Sequence, residues 1–188
     1  MKHFCLANVP AYANGHIQTN GLHAIPRSSP TSLLQASLNE STTGPVHGSF
    51  SPLLFSNWQV DKVQGIDVDN SGTTGIRSIR IKESGVYVVA LCAERTSLPN
   101  VAAVLRLPCD VELAISTMQS PQALLRLVYT PTTSVATGHG MALCYLQCGD
   151  PVQIVAKTSC NNYFLPYLKF GRLCLSLYML VPAGAKCN

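Results

Sequence analysis

One apolar run limits the folds that this chain can adopt. Residues 83–97 have the sequence ESGVYVVALCAERTS, in which apolar side chains would occupy both faces of an extended strand. Val86, Val88, Ala90 and Cys92 lie on one face, and Tyr87, Val89 and Leu91 lie on the other. Such a strand is buried on both sides, either between two layers or between a sheet and a partner subunit. The run therefore predicts a layered β fold.

Short strand-like segments continue from about residue 55 to the C-terminus. Segments such as IRSIRI, VELAIS, ALLRLVYT and PVQIVAKT alternate with turn-forming stretches such as DVDNSGTTG, TPTT and CGDP. No segment of this region has a convincing helical period. We expect an all-β fold, a single jelly-roll β-sandwich that occupies residues 55–188.

The first part of the chain has a different composition. Residues 1–54 contain repeated Pro and Gly and four of the five histidines, but few charged groups. Such a sequence does not sustain long helices or central strands. We expect residues 1–54 to form an extended N-terminal arm. One short helix is predicted in its SPTSLLQASLNES segment, with Thr31 or Ser32 as the N-cap.

Charge is scarce along the whole chain. Charged residues make up 12% of the sequence and apolar residues 47%, whereas roughly 25% charged is usual. Two alternatives follow: part of the surface is buried against copies of the same chain, or Ser, Thr, Asn and Gln cover it. The net charge is only +4, and the densest basic group is Arg77, Arg80 and Lys82. We expect no nucleic-acid partner, since that would need a denser basic stripe.

Hydrophobic runs and cysteines bear on the cellular compartment. No apolar run reaches the roughly 18 residues of a membrane-spanning helix, and the N-terminus MKHFCLANVPAYANGHIQ lacks the apolar stretch of a signal peptide. We expect no transmembrane segment and synthesis in a reducing cytosol. There the eight cysteines would mostly be thiols.

No motif predicts a metal site. The segment DVDNSG, Asp67 to Gly72, begins like an EF-hand loop, but its twelfth position is Ser78 instead of Glu. A hairpin turn explains it better. Cys144, Cys148 and Cys160 lack the paired spacing of a zinc site. We expect packed thiols there.

Catalytic and cofactor motifs are equally missing from the sequence. A reactive Cys–His pair needs an accessible thiolate beside an oriented imidazole, and His139 is the only histidine of the β-region. Cys92 is interpreted as a small hydrophobic residue that fills the core. We expect no catalytic residue, no cofactor and no enzymatic activity.

Three segments resemble those of the TNF/C1q-like jelly-roll superfamily. IRIKESGVYVVALCAE is similar to the strand, turn and central strand of that superfamily, LQCGDPVQIVA to its Gly-Asp hairpin, and YFLPYLKFGRLCLSLYMLV to its closing Phe-Gly strand. The resemblance covers roughly residues 55–182. It implies a trimeric head whose aromatic side chains line the subunit axis. Members that act outside cells carry a leader or a membrane anchor, and we expect neither here.

Aromatic residues supply the candidate oligomer interface. The alternative is that they pack inside one subunit, which is at least as common. Tyr163, Tyr167 and Tyr178 are expected to include contacts with a neighbour, because both faces of the C-terminal strand are apolar. The full set of candidates is Trp58, Tyr87, Tyr163, Tyr167, Phe170 and Tyr178.

Three function classes remain. The sequence favours a structural assembly protein: a homo-oligomeric subunit, pentamer or trimer, of the outer capsid of a large virus, either a penton or a minor capsid protein. It would be made in the host cytoplasm, reside in the virion and contact neighbouring capsid proteins through its arm. The alternative is a TNF/C1q-like trimeric recognition module that binds a receptor or a glycan. An enzyme on a β-sandwich is the weakest, since a His/Glu metal set is missing from the sequence.

Overall fold

Strands make up all the regular structure in the described part of this protein. The computed structural model describes residues 32–69, 78–98, 108–117, 120–133, 135–160 and 168–186. The predicted all-β fold is confirmed. The strands are β1 (Leu33–Ser41), β2 (Val46–His47), β3 (Ser51–Pro52), β4 (Phe55–Gln64), β5 (Ile66–Asp69), β6 (Ser78–Ile81), β7 (Glu83–Ser97), β8 (Cys109–Ser116), β9 (Pro121–Tyr129), β10 (Val135–Leu146), β11 (Pro151–Thr158) and β12 (Lys169–Lys186).

Two sheets pack into a sandwich. The five-stranded sheet has the order β10-β7-β12-β1-β4. The second sheet has the order β5-β6-β11-β8-β9, and β2 and β3 also pair with β11. The chain passes from one sheet to the other after β1, β3, β4, β6, β7, β9, β10 and β11. These repeated crossings between two antiparallel sheets form a jelly roll.

The core lies between the sheets and follows the period of two along each strand. On β7, Tyr87, Val89 and Leu91 are buried, whereas the alternate residues are half-buried on the outer face. The second sheet contributes Leu113 and Ile115, which are fully buried opposite them. Fully burying one such side chain stabilises a fold by roughly 1.5–3 kcal/mol. The face of β7 that carries Tyr87, Val89 and Leu91 therefore belongs to the core.

The helix predicted near residue 31 is wrong. Residues Leu33–Ser41 form β1, which pairs with β12 on one side and β4 on the other. Leu34, Ala36 and Leu38 alternate toward the core and are buried. This period of two satisfies a central strand, and the two neighbouring strands supply the backbone hydrogen bonds that a helix would have made internally.

The predicted boundary of the arm changes accordingly. Residues 33–54 contain β1, β2 and β3, which are parts of the two sheets. The second half of the segment predicted as an arm thus belongs to the jelly roll. Residues 1–31 lie outside the described residues, so the rest of the predicted arm stays a prediction.

Two glycines allow the sheets to meet along one side. A Cβ on Gly140 would lie 1.8 Å from the carbonyl oxygen of Leu124, and one on Gly138 would lie 3.0 Å from Leu125 Cδ1. On the same side, Gln122 Nε2 donates a hydrogen bond to the carbonyl of Leu143 at 3.1 Å. Strand β10 therefore lies directly against the β9 backbone at Gly140 and against β9 leucine side chains at Gly138.

We expect Gly140→Ala to destabilise the fold by about 3 kcal/mol, because the new methyl group would overlap a backbone carbonyl that cannot move alone. The measurement is urea unfolding followed by circular dichroism. Gly48→Ala is the matched control. Gly48 has open space around its Cβ position but a φ of +69°, so its loss should be only about 1 kcal/mol. Equal losses in the two variants would contradict the close approach.

Candidate functional site

Large apolar side chains project outward from β10. Met141, Leu143 and Tyr145 are 68%, 62% and 51% exposed. They occupy alternate positions on one face of this edge strand of the five-stranded sheet. Exposed apolar groups are ordinary when scattered, but a contiguous group of them marks an interaction surface.

The neighbouring strands extend this surface. Tyr145 lies opposite Val86 of β7, Leu143 opposite Val88, and Met141 opposite Ala90. Across the next ladder, β12 places Tyr178 opposite Val88 and Val181 opposite Val86. We name this surface the apolar face; its members are Val86, Val88, Ala90, Met141, Leu143, Tyr145, Tyr178 and Val181.

The inner face of β10 explains why its large residues point outward. Its inward positions include Gly138, Gly140 and Ala142. The β9 backbone leaves no room for a side chain at Gly140, and the Leu125 and Leu127 side chains crowd Gly138. The strand buries most of its apolar area inside only at its end, through Cys144 and Leu146. A soluble edge strand ordinarily has the opposite arrangement, with its polar residues outside.

Polarity increases along the same sheet away from the apolar face. The next row across the strands consists of His139, Cys92 and Cys174. Beyond it, Arg172 Nη1 forms an ion pair with Glu94 at 3.3 Å, and Arg172 Nη2 donates a hydrogen bond to Ser37 Oγ at 3.1 Å. One end of the outer surface is thus apolar, and the other is ionic.

The outer face of the second sheet is ionic as well. Lys157 Nζ lies 3.0 Å from Glu112 Oε2 and 4.4 Å from the centroid of the Phe50 ring. Arg126 pairs with Asp110 one strand further on. Such charged cross-strand pairs are typical of a solvated sheet face. The two outer faces of the sandwich therefore differ in character.

The predicted interface residues occupy three different environments. Tyr178 is half-buried on the apolar face. Trp58 packs partly against the core, with its ring 6.3 Å from that of Phe55 in an edge-to-face arrangement. Tyr87 and Phe170 are completely buried between the two sheets of one subunit, which leaves their side chains no surface to offer a neighbour.

Tyr163 and Tyr167 lie outside the described residues.

The predicted interface residues did not include Met141, Leu143 or Tyr145. The signal for them was the alternation of large and small residues in GHGMALCYL, residues 138–146. In that segment the glycines and alanine mark the crowded inner face.

Cys92 does not fill the core, contrary to the interpretation of the sequence. It is half-buried on the outer face of β7, between Cys174 of β12 and His139 of β10. The alternation on β7 assigns it to the same face as Val86 and Val88, and that face points away from the second sheet. The sequence separated the two faces of β7 correctly, but the face that contains Cys92 is not the one that the second sheet covers.

Two other thiols are buried and chemically quiet. Burial raises the pKa of Cys109 to about 12, with a further contribution from its hydrogen bond to Cys160. Burial alone raises the pKa of Cys144. Five of the described cysteines are thiols, namely Cys92, Cys109, Cys144, Cys160 and Cys174.

Cys148 is the exception among the described cysteines. It is disulfide-bonded, so the expectation of thiols does not extend to it. Within the described ranges, no three His, Cys, Asp or Glu side chains lie close enough to hold a metal ion. Residues 70–72 of the EF-hand-like segment fall outside those ranges.

No described helix has the length and hydrophobicity needed to cross a bilayer. No protein-family model matches the sequence, and no curated protein matches it.

Solved structures of similar architecture exist. PRD1 vertex protein P5 has 10% sequence identity and a TM-score of 0.49, and the match covers 81% of this chain and 99% of that one. The globular domain of zebrafish complement 1qA has 14% identity and a TM-score of 0.48, over 80% and 97% of the two chains. Murine APRIL has 12% identity and a TM-score of 0.47, over 79% and 98%. Similarity at this level does not indicate what this chain binds or assembles with.

We expect Cys109 and Cys144 to react more slowly with iodoacetamide at pH 8 than Cys92, Cys160 and Cys174. A raised thiol pKa leaves less thiolate, which is the reactive form, and the first two side chains are also buried. Peptide mass spectrometry of the folded protein at successive times gives the rates. In denaturant the five rates should converge. Equal rates for Cys109 and Cys160 in the folded protein would contradict the burial of Cys109.

Proposed function

We propose that this chain is a non-catalytic structural subunit that assembles with copies of itself through the apolar face. The observation that carries the proposal is the outward projection of Met141, Leu143 and Tyr145 from a strand with small residues inside. The charged pairs of the second sheet offer no comparable surface. Assembly would remove the exposed apolar area of the five-stranded sheet from water.

The energetics favour more than one contact per subunit. Complete burial of a large apolar side chain is worth about 1.5–3 kcal/mol, so three that are already partly buried contribute roughly 3–5 kcal/mol. Association itself costs an estimated 4–15 kcal/mol. The half-buried members of the apolar face must therefore contribute too. A closed ring, in which each subunit contacts two neighbours, would double the gain per subunit.

A second copy is the best-matched occupant of the apolar face. None of the eight residues of the face carries a charge at neutral pH, so the partner surface must be apolar as well. Other large apolar side chains that are exposed on the described residues, such as Val46, Val63 and Val128, lie on separate strands away from it. Among the surfaces of the described residues, the apolar face is therefore the best suited to contact a second copy of this chain.

We infer that the finished assembly is the outer capsid of a large virus, where the chain serves as a penton or a minor capsid protein. The low charge of the chain and the lack of a basic cluster in residues 1–54 support contacts with protein instead of genome. The N-terminal residues would contact neighbouring capsid proteins. Synthesis would take place in the host cytoplasm. A pentamer suits a vertex.

A trimeric recognition module is the second candidate function. The same apolar face would then surround the subunit axis, and the polar end of the sheet would bind the ligand. A pentamer would favour the vertex role, whereas a trimer would fit either recognition or a minor capsid role.

We expect Leu143→Glu to convert the oligomer to monomers without unfolding it, because a carboxylate would be buried in an apolar contact. Size-exclusion chromatography with light scattering measures the mass, and circular dichroism checks the fold. Val128→Glu is the matched control. Val128 is 48% exposed on β9 of the second sheet, and this variant should keep the oligomer. A monomeric unmodified chain at micromolar concentration would overturn self-assembly.

Deletion of residues 1–31 tests the contact with neighbouring capsid proteins. We expect the shortened chain to keep its oligomer mass but to lose incorporation into virus particles, measured by co-purification after gradient sedimentation. The deletion stops before β1, since removal of that central strand would unfold the five-stranded sheet. Full incorporation of the shortened chain would contradict the role of this segment.

A further inference from the structure

A polar cleft lies at the end of the five-stranded sheet farthest from the apolar face. Its volume is about 540 Å³, within the usual range of ligand pockets. It forms where β1 and β7 end and where β4 and β12 begin. The residues lining it that carry charge are Glu40, Arg95 and Lys169, and hydroxyl groups come from Ser41, Thr42, Ser56 and Ser97.

The two cations of the cleft are uncompensated. Arg95 and Lys169 stand on adjacent strands, since Lys169 lies opposite Ser97 in the ladder between β12 and β7. Among the described residues, neither cation forms an ion pair. Both side chains are exposed. They are therefore available to an oxyanion, which such cations bind through short, charge-assisted hydrogen bonds.

Glu40 adds an acceptor in a strained conformation. Its φ is 49°, and it is the non-glycine residue of the described ranges with positive φ. This conformation costs an L-residue about 1–2 kcal/mol, and such strain is common at binding sites. The Glu40 side chain lines the cleft without an ion pair to a described residue.

The hydroxyl groups are partly engaged already. Ser41 Oγ accepts a hydrogen bond from the Phe170 backbone at 3.0 Å, which leaves its own proton free to donate. Ser56 Oγ donates to the carbonyl of Asn39 at 3.1 Å. Ser97 makes no hydrogen bond through its hydroxyl with any other described residue. The cleft thus combines cations for an acidic group with donors and an acceptor for hydroxyls.

From this combination we propose that the cleft binds an acidic saccharide. Arg95 and Lys169 hold its carboxylate or sulfate, while Glu40, Ser41 and Ser97 exchange hydrogen bonds with its hydroxyl groups. A nucleic acid fits less well, because base recognition needs an exposed aromatic platform. The aromatic residue of the cleft, Phe170, is completely buried.

The cleft and the apolar face can be occupied together. Ala90, the member of the apolar face nearest to Arg95 on β7, is five positions away from it, or about 17 Å along an extended strand. Packing of the apolar faces therefore leaves the cleft open. The proposal does not rest on self-assembly, and the mass of the oligomer, measured separately, shows which of the two proposals fails.

Titration calorimetry on the full chain tests the site with three probes: a sulfated heparin-derived oligosaccharide, a sialylated oligosaccharide and a neutral maltooligosaccharide. We expect at least one acidic probe to bind and the neutral probe not to. The double variant R95Q and K169Q should weaken that binding by about tenfold or more, as expected when charge-assisted hydrogen bonds are lost.

The matched control removes the same charge elsewhere. Lys62 and Arg80 are exposed and lie on β4 and β6, so the variant K62Q and R80Q should change the affinity by less than about twofold. Binding of only one acidic probe identifies the acidic group. Equal weakening in both double variants would overturn the proposal, since it would mean attraction by net charge alone. The absence of binding by either acidic probe would overturn it as well.

Both proposed substitutions alter exposed side chains, so folding should be unaffected. Circular dichroism and oligomer mass check this for each variant.

A single variant, Glu40→Gln, tests the role of Glu40 independently, because it keeps the size of the side chain and leaves both cations in place. We expect it to weaken binding of the acidic probe by about threefold, since a carboxylate accepts hydrogen bonds from hydroxyls more strongly than an amide does. Unchanged affinity in E40Q would contradict the role of Glu40.

Discussion

The ladder between β7 and β12 is the interaction on which the rest of the sandwich depends. The two strands lie side by side in the middle of the five-stranded sheet, with β10 and β1 on their outer sides. A slip of one residue in this ladder would exchange the buried face with the exposed face. Hydroxyl groups also make buried hydrogen bonds near both ends of β7. Tyr87 donates a hydrogen bond to the carbonyl of Glu83 at 2.7 Å, and Tyr129 donates to Thr96 at 2.6 Å.

The close packing of β10 against β9 determines which apolar side chains of β10 are exposed. Strand β10 approaches β9 so closely that Gly140 has no space for a Cβ. The strand therefore has little apolar area to bury inside the subunit at that point, and Met141 and Leu143 on its other face remain in contact with water. The same packing that completes the jelly roll thus creates the surface that we assign to self-assembly. Substitutions that relieve the crowding would also alter the position of the interface.

The sequence predicted the β-sandwich because strands with a period of two and regular turns leave few other folds. It did not predict which face of a strand points inward. Alternation separates Cys92 and Val88 from Tyr87 and Leu91, but only the second sheet decides which set is covered. The strand β1 was missed for a related reason. Its leucines fit one side of a short helix as well as one face of a strand, and the pairing with two distant strands that decides between them is a long-range interaction.

The separation of charge from the apolar face makes assembly and ligand binding compatible. Around any rotation axis, identical cations of neighbouring copies repel one another, and this repulsion opposes association when they lie near the contact. Arg95 and Lys169, which lack ion-pair partners among the described residues, stand at the far end of the sheet. About 17 Å of strand separates Arg95 from Ala90, the nearest member of the apolar face on β7, which is twice the Debye length of about 8 Å at physiological salt. Their mutual repulsion is therefore screened. For this reason the five-stranded sheet can pack against its copies at one end and keep an uncompensated positive charge for a ligand at the other.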